Sequence, residues 1–424
     1  LMGTAGGASE ITTVAVPQNH SALAPLREPL FRSLWIAAVI SYTGTWMQNL
    51  GAGWLMTELT MSPLMVGLVQ AAAALPVFLV ILPAGALADI MDRRRLLLIT
   101  QGWMVIASAT LGVLTLTGVV GQWTLLLLTF LLGLGSVMND PAWQAITPEV
   151  VSPENHASAV ALNSAGFNIA RSVGPALGGL IIAATNSGFA FLLNAVSFFG
   201  VIVFLYRWNR PHEEHVETRR VLDAIAAGLR YVRGSSMVRS VLIRTGSFSV
   251  AAVALPALLP IVARPFGSAG YGLLLGSFGL GALAGAAFLP RLRRSLSIDG
   301  VVAFAIVLFA AATLAAGRTH MFPVLCAVLF TGGVAWIGIL ACLNVTAQTM
   351  SPSFLRARTL SLYLLVLQGG MALGSAAWGA LATRVGVPDA LMWAAVALVG
   401  GLTALRRHRL SAEQLELSPS VVRD

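Results

Sequence analysis

Gly85-Ala-Leu-Ala-Asp89-Ile-Met-Asp92-Arg93-Arg94-Arg95 stands between two apolar runs, 64–88 and 96–117, each long enough to cross a bilayer. A hydrocarbon span takes about 20 apolar residues in a helix. Backbone amides inside it have no water to bond, so such runs must be helical. The quoted stretch is therefore a membrane-surface loop, and its three arginines assign it to the cytoplasmic side. Gly85 permits close helix approach, and Asp89 can sit at the positive N-terminal end of another helix. The arginines can pair with a carboxylate at the inner end of the fourth run, where Asp140 is placed for it. Gly85, Asp89, Arg93, Arg94 and Asp140 are thus candidates for a latch that holds one conformation. An ordinary positive-inside loop is the plainer alternative.

Outward from this loop the pattern repeats. The chain has 424 residues, 57% hydrophobic and 10% charged, against about 25% charged in an average soluble domain. Twelve runs fall at about 33–57, 64–88, 96–117, 123–143, 157–184, 188–206, 241–263, 270–289, 300–317, 322–346, 359–383 and 389–405. The expected fold is an all-α membrane protein of twelve transmembrane helices in two six-helix pseudo-repeats. Its parts are a cytoplasmic tail (1–32), a six-helix bundle (33–206), a cytoplasmic linker (207–240), a second bundle (241–405) and a cytoplasmic tail (406–424). Residues 1–30 show no apolar core after a basic start, so no cleavable signal is expected.

All 26 basic residues are Arg. Without Lys there is no phosphate-binding loop of the G-x-x-x-x-G-K-[ST] kind and no lysine Schiff base, so built-in ATP hydrolysis by that route is excluded. The six His residues lie outside the apolar runs, which leaves no H-E-x-x-H span, and no metal or cofactor is expected. Cys326 and Cys342 share one run, and 16 helical residues separate them by about 24 Å, beyond disulfide reach. With both termini cytoplasmic, 22 of the 26 arginines lie inside, Arg264, Arg318 and Arg384 lie outside, and Arg171 lies within a span. The net charge of +9 is then an orientation signal and a contact with membrane lipids, and nucleic acid is a poor explanation for it.

The linker carries Val221, Leu222, Ile225, Leu229 and Val232 at helical spacing, acidic residues before them and Arg230 and Arg233 after. That reads as an amphipathic surface helix. His212 and His215 flank a Glu pair there, which reads as a solvated helix start sooner than a metal site. A shift of 200 residues places Gly85 on Gly285, Arg93-Arg94 on Arg293-Arg294, Gly174 on Gly374 and Gly179 on Gly379. Two six-helix halves of common ancestry are the architecture of a rocking secondary transporter.

The fifth run carries Gly174-Pro175-Ala-Leu-Gly178-Gly179. Its small residues let two helices touch and its proline loosens a turn, so Gly174, Pro175, Gly178 and Gly179 are helix-interface candidates. Arg171 lies 14 residues into that run, about 21 Å of helix, and a charge so deep defaults to function. With Asn168 one turn earlier it can meet an anionic substrate in a cavity; a structural clamp by a carboxylate or by helix carbonyls near Pro175 is the alternative. Tyr42, Thr45, Trp46 and Asn49 form a polar-aromatic face of the first run, and Asn344, Gln348 and Gln368 are similarly placed in the second half. As a set they are candidate cavity residues, although interhelical hydrogen bonding is the plainer role for any one of them. Gly279-Leu-Gly281-Ala-Leu-Ala-Gly285 looks like a dinucleotide fingerprint, but no strand precedes it, so helix packing explains it.

The loop resembles the signature loop of the major facilitator superfamily, and Gly174-Pro175-x-x-Gly178-Gly179 is similar to a motif of its export branches. Leu30-Phe31-Arg32-Ser-Leu-Trp35, Thr57-Glu-Leu-Thr60, Asp92-Arg-Arg-Arg, Asn139-Asp140-Pro141-Ala-Trp-Gln144 and Ala227-Gly228-Leu229-Arg230-Tyr231 resemble the enterobactin-exporter-like, or transmembrane secretion effector, branch. The resemblance implies export of a siderophore or drug-like amphipathic molecule by alternating access, with proton antiport in most members. The loop departs from the pattern at Ile90 and Asp92, and Thr129-Phe-Leu-Leu-Gly133 lacks the arginine of many proton-coupled exporters. The resulting expectation is a monomeric secondary transporter of the bacterial inner membrane, with a small-molecule substrate, lipid contacts and protons as candidate co-ions. A flippase or uptake carrier for a lipid-like solute is the alternative. No span holds a paired carboxylate, a His cluster or a nucleophile with its base, so an enzyme is not expected.

Overall fold

The computed structural model describes residues 23–207, 236–349 and 356–403, all of them helix or short connection, with no strand among them. The first half contains α1 (Pro29–Leu59), α2 (Pro63–Ile90), α3 (Arg93–Leu116), α4 (Gln122–Ile146), α5 (His156–Ala184) and α6 (Ser187–Arg207). The second contains α7 (Ser236–Ala252), α8 (Ala254–Val262), α9 (Gly267–Ser295), α10 (Ile298–Arg318), α11 (Phe322–Thr349), α12 (Arg356–Val385) and α13 (Val387–Gly400). α7 and α8 together make one crossing. Ten helical segments among the described residues are long and apolar enough to cross a membrane. α1 and the shorter α13 complete twelve crossings. The linker helix, His212 and His215 and the C-terminal tail lie outside the described residues.

Short turns keep consecutive helices antiparallel, and two helix starts carry side-chain caps. Asp92 Oδ1 accepts from the Arg95 amide at 2.8 Å to start α3, and Ser297 Oγ accepts from the Gly300 amide at 3.2 Å to start α10. These supply partners for first-turn donors that have none inside the helix. Gly386 joins α12 to α13 at φ 86°, a conformation that favours glycine.

Within the first half, α1 packs on α5 and α6, α3 on α4 and α6, and α2 on α4; in the second, α9 packs on α11, α10 on α11 and α13, and α7 on α12. The halves meet along α2–α12 and α5–α9. Both seams are closest at the face opposite the arginine-rich loops. At α5–α9, a Cβ added at Gly179 would stand 2.5 Å from the Ser268 carbonyl oxygen and one at Gly272 would stand 2.5 Å from that of Pro175. At α2–α12, a Cβ at Gly67 would stand 2.5 Å from the Ser375 carbonyl oxygen, and one at Gly379 would stand 2.9 Å from that of Pro63. Arg264 adds a hydrogen bond across the same face to the Thr57 carbonyl.

The outward surface carries apolar side chains such as Ile36, Ile40, Ile106, Phe199 and Phe304, with Trp123 and Trp393 toward span ends. That is the surface a bilayer solvates, with indoles suited to its edges.

Overpacking costs roughly 1–3 kcal/mol, about tenfold or more in the population of the closed face. In a chain with Cys326 and Cys342 replaced by Ala, a cysteine at buried Ser268 should react with an impermeant maleimide about ten times faster when Gly272→Leu is added. Unchanged labelling would show that the glycine contact does not hold this face shut.

Candidate functional site

A cavity of about 170 Å³ lies at the middle of the molecule, between the halves. The first half contributes Trp46 and Asn49 of α1, Gln70 of α2, and Arg171 and Pro175 of α5; the second contributes Leu255 and Pro256 of α8, Tyr271 and Phe278 of α9 and Trp336 of α11, among others. Its chemistry is one-sided. Aromatic and aliphatic surface comes mainly from the second half, and the polar and charged groups come from the first.

Helix packing positions Arg171. Gly174 and Gly178 bring α5 onto α1, where added Cβ atoms would meet Trp46 Cβ at 2.7 Å and Met47 Cα at 3.0 Å. Gly179 faces α9 across the seam between halves. Pro175 has no N–H to give the Arg171 carbonyl four residues back, which loosens the helix at the charged residue. The guanidinium lies over the Trp46 ring, its Cζ 5.6 Å from the centroid, within cation–π range. It makes no ion pair with any described residue, so the carboxylate clamp is not the arrangement found. Trp54 stacks on Tyr271 between α1 and α9 with centroids 6.2 Å apart, on the side toward the closed face.

Of the nine candidate cavity residues, Arg171, Trp46 and Asn49 line this cavity. Thr45 lines a second cavity inside the first half, which Asn49 also borders. The other five line neither of these two cavities. Tyr42 packs edge-on against Phe167 at 5.4 Å. Asn168 donates to the Ser164 carbonyl at 2.8 Å, one turn back along its own helix. Gln348 Nε2 donates to Asn344 Oδ1 at 2.6 Å within α11. Gln368 is half-buried in α12. Gln70, Tyr271 and Trp336 escaped the sequence reading because single polar or aromatic residues in long apolar helices carry no local signal of which way they face. Phase alone does not say whether a face meets a cavity or a neighbouring helix.

The arginine-rich loop is also rearranged relative to expectation. Arg93 Nη1 pairs with Glu149 Oε1 at 2.7 Å, just past the end of α4, and not with Asp140. Arg94 donates from Nε to the Leu205 carbonyl at 2.8 Å and from Nη2 to that of Tyr206 at 2.9 Å, satisfying the last carbonyls of α6. Both contacts stay inside the first half. Asp140 opens instead onto the second cavity. Gly85 and Asp89 lie in the last turns of α2, and their side chains fall outside the described set.

On the same face, Glu28 at the start of α1 clasps the α4–α5 connection. Its carboxylate accepts from Asn155 Nδ2 at 2.8 Å, Ser152 Oγ at 3.1 Å and the Ser152 amide at 3.2 Å.

The family description of transmembrane secretion effectors matches residues 20–422. The chain belongs to that family, within the major facilitator superfamily. It is a multi-pass membrane transporter and not an enzyme. It is 27% identical to the multidrug efflux pump Tap of Mycolicibacterium fortuitum over 85% of this chain and 91% of that one. It is 25% identical to the enterobactin exporter EntS of Escherichia coli over 92% and 96%. In fold it is similar to a bacterial homologue of the human lysosomal transporter Spinster, solved inward-facing and unoccupied, with TM-score 0.69, 14% identity and coverage of 93% and 99%.

The Glu28 clasp has a pH signature. Chiefly the Asn155 hydrogen bond, with smaller help from Ser152 and against the effect of burial, holds the carboxyl below its ordinary range. A depressed folded value means the stabilisation is complete above the unfolded pKa of about 4.3 and is lost as pH falls through the lower folded value. The gap in melting temperature between the parent and Glu28→Gln should be full at pH 6 and shrink below about pH 4. A gap independent of pH would refute the clasp.

Proposed function

We propose that this transporter exports small amphipathic anions, of siderophore or drug-like kind, across the bacterial inner membrane. It does so by alternating access of the central cavity, with an ion gradient supplying the energy and proton antiport as the first candidate. The observation that carries the reading is Arg171. It is a charge at mid-span without an ion-pair partner among the described residues, stacked on Trp46 and turned into a cavity that Asn49 and Gln70 also line and that Tyr271, Phe278, Trp336 and aliphatic side chains wall on the other side. Burying an unpaired charge is costly, and a substrate carboxylate or catecholate offsets that cost. An aromatic or aliphatic body then packs against the second half.

Direction and topology follow from the same features. The arginine-rich face, with both termini, is read as cytoplasmic. The seams at Gly179–Gly272 and Gly67–Gly379 then close the outer side, which is the state an exporter uses to load from the cytoplasm. Rocking the halves about the cavity opens those seams and releases the substrate outside. The relatives described above, an efflux pump and a siderophore exporter, support export over uptake.

Everted membrane vesicles test the reading, with a catecholate siderophore as anionic probe and ethidium as cationic one. A charge-assisted contact is worth roughly 1.5–3 kcal/mol, so Arg171→Ala at normal abundance should lower catecholate uptake about tenfold or more while sparing ethidium, and Arg171→Lys should recover part of it. Equal catecholate transport by wild type and Arg171→Ala would overturn the anion site. Transport of lysophospholipid alone would establish the lipid-carrier alternative.

A further inference from the structure

The second cavity, about 180 Å³, lies inside the first half between α1, α2, α4 and α6 and meets the central one at Asn49. Asn49 is exposed, lines both cavities and makes no hydrogen bond to a described residue, so its amide faces open space midway through the molecule. α2 passes from one cavity to the other at the same place: Gln70 lines the central cavity and Ala73, one turn on, lines the second. Beyond Asn49 two buried groups lack partners. Gln48, 4% exposed, uses Oε1 to accept from Ser108 Oγ and Asn194 Nδ2, both at 2.6 Å, and its Nε2 is left without an acceptor. Thr129 of α4, 7% exposed, has an unpartnered Oγ1. Both residues line the second cavity.

Buried polar groups in folded proteins otherwise find partners, and these two do not converge on a point. Gln122 Nε2 donates to the Leu59 carbonyl, which sets the ends of α4 and α1 level. From there Gln48 lies eleven residues along α1 and Thr129 seven along α4, so at 1.5 Å per residue their levels differ by about 6 Å. A ligand arm of several atoms spans that; a single ion or water does not. Volume points the same way. A buried water needs about 10–15 Å³, so one water on each group would leave most of the second cavity empty. Drug-sized ligands take pockets of roughly 300 Å³ or more, which neither cavity reaches alone and the two reach together. Asp140, at the opposite end of the second cavity from Thr129, repels an anion, whereas the amides and hydroxyls between them suit neutral polar groups.

We propose that the two cavities form one bipartite substrate site, in which Arg171 holds the anionic end and the second cavity receives a neutral arm carrying amide or hydroxyl groups. Oxygens of the arm accept from the Asn49 amide and from Gln48 Nε2, and its tip pairs with Thr129 Oγ1. An alkyl arm of equal length would leave those groups unpaired, which is the costly arrangement. The inference rests on the anion-exporter reading and narrows its substrate to anions with one polar, uncharged arm.

Calorimetric titration of the purified full chain tests this with two benzoates whose arms match in length, 4-(N-acetylglycylamino)benzoate, a diamide, and 4-hexylbenzoate. Asn49→Leu and Thr129→Val should each weaken diamide binding about two- to tenfold and leave the hexyl compound as tight or tighter, while Arg171→Ala should weaken both alike. A second measurement locates the arm. In the chain with Cys326 and Cys342 replaced by Ala, Ser136→Cys puts a thiol on the wall of the second cavity. Saturating diamide should abolish its labelling by a small maleimide, and unsubstituted benzoate should not. A diamide that fails to bind, that binds wild type, Asn49→Leu and Thr129→Val equally, or that leaves the Ser136→Cys thiol as reactive as benzoate does, overturns the bipartite site and leaves the second cavity to solvent. Affinities unchanged by Arg171→Ala alone sink the anion site instead, and the Ser136→Cys protection still decides the arm.

Discussion

Between the halves backbone meets backbone most closely at Gly179 on Gly272 and at Gly67 on Ser375 and Gly379. Everything functional in this molecule depends on that proximity. No side chain fits in either seam, so the halves lock at one face of the membrane and enclose a cavity beneath it. Helix association in a bilayer gains little from hydrophobicity, because lipid tails are as apolar as the side chains they would replace. Close packing of small residues is what remains, and it breaks sharply when the surfaces tilt. That is a suitable contact for a seam that must open and close.

The internal repeat gives the seams a common origin. At a shift of 200 residues Gly179 of α5 corresponds to Gly379 of α12. Each presses on a helix of the opposite half, α9 and α2. Gly174 and Gly374 correspond likewise, and each packs its helix within its own half, Gly174 on α1 at Thr43 and Trp46, Gly374 on α7 at Val250. One helix design, used twice, thus provides both the frame of each half and the seam between them. The chemistry laid over that frame is not symmetric. Arg171, Asn49 and Asp140 all belong to the first half, and the second supplies aromatic wall.

Composition, span length and arginine placement made the all-helical membrane fold and its twelve crossings legible, because the bilayer enforces one-dimensional rules: about 20 apolar residues per span and cations on one side. Gly174, Pro175, Gly178 and Gly179 were legible as an interface for a similar reason, since small residues in a lipid-solvated helix have few uses besides close approach. The site was legible only where a residue violates its surroundings. Arg171 stood out because a mid-span charge is costly. Asn344 and Gln348 looked equally polar by phase, and four residues apart they bond one another along α11. Arg93 was expected to find a carboxylate near the inner end of α4 and did, but it is Glu149, nine residues beyond Asp140.

From sequence alone came the solvent of this protein, its helical content, the grouping of its charges and the mid-span arginine that demanded a partner. Each is decided locally, by the price a residue exacts in hydrocarbon. Only the tertiary structure decided that Arg171 faces an aromatic cavity and not a carboxylate, that Asp140 opens onto a pocket of its own, and that Asn49 separates the two. Those facts depend on how helices distant in the chain rotate against one another to bury their glycines, and no local pattern encodes a rotation.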